Sequence, residues 1–137
     1  MKFLGIDYGK KRIGLAICDP DEKIASPLAV LKNSPRVIQE ILDCIEAENA
    51  DAIVIGLPLN MDDSEGPQAR LVRGFAAALK SHTNLPLYLQ DERLSSFEAE
   101  EKLADAGLTI KKKQKRLDAV AAANILQAFL DGRAQKG

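Results

Sequence analysis

The sequence predicts an α/β fold built on a five-stranded mixed sheet, with a three-strand antiparallel meander, two further parallel strands and flanking helices. Short apolar segments separated by glycine turns near the start of the chain predict the meander. The segment Ala52–Leu57 is apolar without alternation, as expected of a central strand buried on both faces. Amphipathic helical patterns separate the later strands, and right-handed crossovers would lay strands one, four and five parallel.

Length and composition are those of an ordinary globular chain. The 137 residues suit one domain, 1–137, that is long enough to bury a core. A net charge of −1 excludes a uniformly basic nucleic-acid binder but allows local basic patches. Aromatic residues make up only 4%, which disfavours base-stacking platforms. With neither a signal peptide nor an apolar run that could span a bilayer, the sequence predicts a cytoplasmic protein without membrane contact.

The first two predicted strands, Phe3–Ile6 and Ile13–Cys18, form a hairpin around a glycine-containing turn. Asp7 stands where the first strand ends. A buried carboxylate needs a partner, since an unpaired buried charge is very costly. Two interpretations of Asp7 stay open: a cation ligand, or a turn-forming residue bonded to its own backbone.

The middle of the chain alternates strands and helices. The third predicted strand, Ile24–Leu31, contains Pro27 and therefore suits an edge position. Ser34-Pro35 predicts a helix start, with Ser34 as the N-cap and Pro35 as the first helical residue. After the strand Ala52–Leu57, helical spacing from Leu71 to Leu79 predicts a second helix.

The last part of the chain carries one strand and two predicted helices. The strand Leu85–Leu89 leads into Gln90-Asp91-Glu92-Arg93. A capping box at Ser95 predicts a third helix that stops near Gly107. We interpret 109–116 as a cationic link, followed by a last helix over Leu117–Leu130 that Gly132 closes.

Acidic residues from three elements are expected to meet at one edge of the sheet. Asp7 ends strand one and Asp91-Glu92 follow strand five, and ligands gather at the carboxyl ends of parallel strands. Asp118 shares a helical face with Ala122, Ile125 and Phe129, so it is either the helix N-cap or a ligand directed inward. Oxygen ligands alone suit Mg²⁺ or Mn²⁺, and two such ions can support phosphoryl transfer.

Two clusters of cations could contact nucleic acid. Lys10, Lys11 and Arg12 could hold backbone phosphates beside the acids, or they could form a solvated turn. The same alternatives apply to a second run, which could clamp a strand or be a solvated link: Lys111, Lys112, Lys113, Lys115 and Arg116. Arg93 could pair with a substrate phosphate or neutralise Asp91.

Four blocks of the sequence closely resemble the YqgF family, bacterial ribonuclease H-like proteins described both as Holliday-junction resolvases and as pre-16S rRNA nucleases. The blocks are Gly5–Gly14, Ile55–Asn60, Asp91-Glu92-Arg93 and Asp118-x-x-Ala121-Ala122. The resemblance runs from Phe3 to about Leu130 and implies a ribonuclease H-like sheet with divalent-metal nuclease chemistry. The resemblance also implies that Asp7, Asp118 and one acid of the third block are metal ligands. We prefer Glu92, whose longer side chain lies nearer the exit of the strand, with Asp91 as the alternative.

Two positions depart from the family pattern. Ala121 stands where junction resolvases of the superfamily have a further acid, which weakens the transfer of resolvase function. Asp63 stands where relatives often have glycine, and Asp tolerates the left-handed backbone conformation only moderately well.

The resemblance and the acids together predict a metal-dependent endonuclease for structured nucleic acid, with maturation of the 5′ end of pre-16S rRNA as the leading function. Three alternatives are resolution of branched DNA by a homodimer, a non-catalytic RNA-binding factor, and a sugar-kinase-like or actin-like ATP binder. The ATP binders need a second domain, for which 137 residues leave no room.

Overall fold

The computed structural model describes residues 1–93 and 110–136, and the side chains of 1–93 and 117–134. Five strands and three helices lie in these ranges: β1 (Phe3–Tyr8), β2 (Arg12–Cys18), β3 (Ala25–Lys32), α1 (Val37–Glu48), β4 (Ala52–Leu57), α2 (Pro67–Lys80), β5 (Leu87–Asp91) and α3 (Ile110–Lys136). None of the helices in the described part of the chain is both long and apolar enough to cross a membrane.

The strands form one mixed sheet in the order β3-β2-β1-β4-β5. Strands β1, β2 and β3 pair antiparallel, whereas β4 runs parallel to both β1 and β5. The predicted meander and the two parallel crossovers are therefore confirmed. β3 is an edge strand, as its proline predicts, and Pro27 lies where the register with β2 shifts between Leu15 and Ala16.

The alternation of side chains along each strand divides the core into two layers. One face of the sheet packs against α1 and α2, through residues that include Leu4, Ile6, Leu15, Ile53, Ile55, Ile41, Val72 and Leu79. The other face packs against α3, through Phe3, Ala16, Cys18, Ala52, Val54, Ala122, Ala123, Ile125, Leu126 and Leu130. β4 is buried along its whole length, which confirms the interpretation of its unbroken apolar run.

Three glycines let α3 lie unusually close to the sheet. A Cβ at Gly5 of β1 would lie 2.8 Å from the Cβ of Leu126, and one at Gly56 of β4 would lie 2.6 Å from Ile125 Cδ1. At Gly14 of β2 a Cβ would overlap the backbone carbonyl oxygen of Asp118. The approach of α3 across β2, β1 and β4 therefore depends on missing side chains, and it determines where Asp118 stands.

The structure corrects two predicted helix boundaries. α3 begins at Ile110, so most of the predicted link 109–116 is helical, and the helix passes Gly132 to end at Lys136. Lys, Gln and Arg are good helix formers, and no proline or glycine interrupts 110–131, so a charged run can continue a helix.

At the start of α1, Ser34 is not the N-cap. Its hydroxyl accepts a hydrogen bond from the backbone N–H of Arg36 at 3.2 Å, and its carbonyl accepts one from Val37. These bonds close a turn, and the helix begins at Val37. The helix predicted over 95–107 lies outside the described residues.

Candidate active site

Asp7 and Asp118 come together across the first hairpin. Residues of β1 alternate between the two faces, so Asp7 shares the α3 face with Phe3 and Gly5. In the β1–β2 ladder Asp7 lies directly opposite Gly14. The backbone of Asp118 packs on that same glycine. The absence of a side chain at position 14 therefore brings α3 beside the carboxyl end of β1.

The electrostatics of Asp7 show that the acids influence one another. Burial, together with the nearby charges of Glu92 and Asp118, raises the pKa of Asp7 to about 7. Burial also raises the pKa of Glu92, with a further contribution from Asp91. Within the described side chains the Asp7 carboxyl has no hydrogen-bond or ion-pair partner, so the turn-forming alternative finds no support there.

The alternation along β5 places the two acids of the third block on opposite faces. Leu87 and Leu89 pack against the α1–α2 core, and Asp91 continues their face. Tyr88 contacts Phe3 and Phe129 on the α3 face. Glu92 follows on that side: a Cβ at Gly56 would lie 2.6 Å from Glu92 Oε2. The glutamate thus reaches over β4 on the same face as Asp7.

Arg93 forms an ion pair with Asp91. Its Nη2 lies 2.6 Å from Asp91 Oδ2, and these hydrogen bonds lower the pKa of Asp91. Its Nη1 lies 2.7 Å from Asp63 Oδ1 and donates to the carbonyl of Asn60 at 3.0 Å. Asp63 has a φ of 68°, the left-handed conformation that glycine adopts at lower cost. Arg93 therefore neutralises Asp91 and connects the β4–α2 loop to the end of β5.

Asp118 is not a helix N-cap. It lies eight residues inside α3, counted from Ile110, so the N-cap alternative is wrong because the helix begins earlier than the sequence indicates. Its Oδ2 accepts a hydrogen bond from Arg12 Nε at 2.7 Å. The predicted inward face is confirmed, since Ala122 and Ile125 are buried on it.

The basic turn lies at the same edge of the sheet as Asp7. Lys10 and Lys11 are exposed, and Asn33 anchors the turn through 2.9 Å bonds to the carbonyl oxygens of Gly9 and Lys11. Arg12 differs from its two neighbours because it is paired with Asp118. The backbone of 110–116 is helical, whereas the side chains of Lys111, Lys112, Lys113, Lys115 and Arg116 lie outside the described set.

In donor type the acids fit a hard divalent cation. All three are carboxylates, the ligands that Mg²⁺ and Mn²⁺ prefer, and a cation among them would offset both the partial burial and the repulsion that raise the pKa of Asp7. In the part of the chain that the structure describes, no three Asp, Glu, His or Cys side chains stand close enough together to hold an ion as they are. Assembly of such a site needs a side-chain movement.

Known proteins resemble this chain over nearly its whole length. The model of the RuvX family, described as "Holliday junction resolvase", matches residues 1–132. A protein of Maridesulfovibrio salexigens is 48% identical over 132 residues, covering 95% of this chain and 98% of the relative. One of Anaeromyxobacter sp. strain Fw109-5 is 45% identical over 135 residues, covering 97% and 98%. Both carry the name "Putative pre-16S rRNA nuclease".

Two solved structures share the fold. RuvC of Thermus thermophilus, in complex with a Holliday junction substrate, has a TM-score of 0.62 at 20% identity and covers 100% of this chain and 98% of its own. The fowlpox virus Holliday junction resolvase has a TM-score of 0.56 at 13% identity, covering 96% and 99%. These likenesses confirm the predicted ribonuclease H-like fold. Because the family model and relatives at this level of identity span nearly the whole length, the chain belongs to the RuvX family, also called YqgF.

Proposed function

We propose that this protein is a divalent-metal-dependent endonuclease that hydrolyses phosphodiester bonds in structured nucleic acid. Asp7, Glu92 and Asp118 are the proposed ligands for Mg²⁺ or Mn²⁺. The observation that carries the proposal is the half-buried Asp7 carboxyl, whose pKa rises to about 7 through partial burial and the charges of the other two acids. A carboxyl perturbed by burial and by neighbouring charges is typical of a functional site. Asp91 is the weaker candidate because Arg93 occupies its carboxylate.

Different residues of the chain would have different roles in such a reaction. Divalent ions, when bound, supply the charge that activates water and stabilises the leaving oxygen. Asp7, held by β1, gives the site a ligand on a rigid strand. Lys10 and Lys11 are exposed at the adjacent turn, where they bind and orient backbone phosphates. Arg93 keeps the loop beside the site in one position.

Precursor ribosomal RNA is the favoured substrate, and the cut is proposed at the 5′ end of 16S rRNA in the cytoplasm. The support is the name shared by relatives that are 45% and 48% identical. Branched DNA is the second candidate, supported by the description of the family model. Resolution of a junction needs two symmetric cuts and therefore a homodimer. Ala121, in place of a further acid, favours the RNA substrate.

The test is incubation of the purified protein with pre-16S rRNA, a four-way DNA junction and a plain duplex, each with Mg²⁺, Mn²⁺ or EDTA. We expect cleavage of the precursor RNA with either metal and none in EDTA. Asp7→Asn should abolish cleavage, whereas Asp21→Asn, an exposed acid of the β2–β3 turn, should not. Binding of RNA without cleavage under every condition would instead identify a non-catalytic RNA-binding factor.

A further inference from the structure

We propose that Arg12 competes with the divalent cation for Asp118, and that the displaced guanidinium then binds a phosphate of the nucleic acid. The inference rests on the proposed metal site. Arg12 lies at the start of β2, 106 residues from its partner on α3, and its Nε lies 2.7 Å from Asp118 Oδ2.

The backbone of Arg12 is fixed, so only its side chain can move. Arg12 pairs with Lys32 in the β2–β3 ladder, and Asn33 ties down the turn on its other side. A Cβ at Gly9 would lie 2.5 Å from the carbonyl oxygen of Arg12, so the turn closes tightly on this residue. The guanidinium can therefore change position only by side-chain rotation about a fixed backbone, at the sheet edge where Asp7 lies.

The charge of Arg12 substitutes for a cation at Asp118. With the Arg12 bond in place, no three acids among the described residues stand close enough to share an ion. Release of Asp118 from Arg12 would free this carboxylate for a shared ion.

The bond between Arg12 and Asp118 is of a kind that a divalent cation can break. Their side chains are 35% and 26% exposed, and ion pairs so accessible to water are weak. A doubly charged ion that contacts several carboxylates offers Asp118 a stronger partner. Once released, Arg12 lies beside the exposed Lys10 and Lys11, and a guanidinium matches the geometry of a phosphate.

Calorimetric titration of Mn²⁺ without nucleic acid tests the competition. Arg12→Ala should bind Mn²⁺ about two- to fivefold more tightly than the wild type, as expected from removal of a weak competing ion pair. Arg12→Gln, which keeps most of the side-chain stem, should show the same direction. Lys23→Ala removes an exposed cation from the opposite end of β2 and should leave the affinity unchanged.

The outcomes separate this inference from the metal site itself. Unchanged Mn²⁺ affinity in both Arg12 variants would overturn the competition while leaving the site intact. Weaker affinity would overturn it too, because Arg12 would then orient Asp118 for the ion and not compete with it. A wild type that binds no Mn²⁺ would refute the proposed metal site and this inference together.

The salt dependence of binding to a short DNA duplex tests the second step. In EDTA, Arg12 is held by Asp118, so wild type and Arg12→Ala should show equal slopes of log K against log salt. With Mn²⁺, and with binding measured before any cleavage, the wild-type slope should be steeper than the Arg12→Ala slope by roughly 0.9. This is the value expected for one phosphate contact. Equal slopes under both conditions would show that the displaced guanidinium does not reach a phosphate.

Discussion

Gly14 and Asp118 are in direct backbone contact: the carbonyl oxygen of Asp118 occupies the space that a Cβ at position 14 would need. Gly14 also lies opposite Asp7 in the β1–β2 ladder. Gly14 therefore helps to bring together a strand acid and a helix acid that are far apart in the sequence.

Gly14→Ala should push α3 away from the sheet and separate Asp118 from Asp7. Overpacking of this kind costs roughly 1–3 kcal/mol of the free energy of unfolding, or more where the obstacle is backbone. Gly74→Ala is the matched control, because Gly74 lies in α2 with nothing within 4 Å of an added Cβ. It should stabilise the protein by about 0.5–1 kcal/mol. Urea unfolding measures both changes, and equal stability of the two variants would contradict the contact.

The raised pKa of Asp7 predicts that the metal-free protein loses stability as the pH rises from 3.8 to about 7. Folding raises this pKa from 3.8 to about 7, so the folded state holds the proton more tightly than the unfolded state. The stabilising contribution is complete below pH 3.8 and is lost as the pH rises to about 7. It amounts to about 4 kcal/mol at most.

Asp7→Asn removes this titration. In EDTA at pH 8 the variant should be more stable than the wild type, and the difference should shrink toward pH 4. Urea unfolding between pH 4 and 8 provides the measurement, with Asp21→Asn as an exposed control that keeps the wild-type profile. A wild-type pH profile in Asp7→Asn would contradict the assignment of the raised pKa.

The two acids at the end of β5 should respond differently to neutralisation. Glu92→Gln should weaken Mn²⁺ binding by roughly tenfold or more, since a hard cation loses a charged ligand. Asp91→Asn should leave the affinity near the wild-type value, because Arg93 already occupies Asp91. Calorimetry distinguishes the two variants. A loss confined to Asp91→Asn would transfer the ligand role to Asp91.

The cationic run at the start of α3 should bind backbone phosphates with little dependence on sequence. Replacement of Lys111 and Lys112 by Ala should reduce the slope of log K against log salt by roughly 0.7–0.9 for each phosphate that the protein no longer binds. The matched control replaces Lys2 and Lys23, which lie at the opposite ends of β1 and β2 from the basic turn. A slope that stays at the wild-type value in the first variant would show that the run is only a solvated helical segment.

Local hydrophobic patterns in the sequence predict much of the fold. The unbroken apolar run of β4 indicates a strand buried on both faces, and parallel pairing with β1 and β5 then brings their carboxyl ends to one edge. Alternation along β5 also distinguishes its two acids, because it places Asp91 on the face of Leu87 and Leu89 and Glu92 on the opposite face. Side-chain length alone favours the same acid, Glu92.

The surroundings of Asp118 are beyond the reach of such patterns. A local signal cannot show that α3 begins at Ile110, because a run of lysines is compatible with both a helix and a solvated link. Nor can it pair Arg12 with Asp118, since that bond joins residues 106 positions apart. The order of the strands, and the face of the sheet on which each side chain lies, follow from hydrophobic periodicity and chain connectivity. Both can be seen in the sequence. The partner of each charge depends on how closely α3 packs across the glycines, and that distance is a property of the folded molecule.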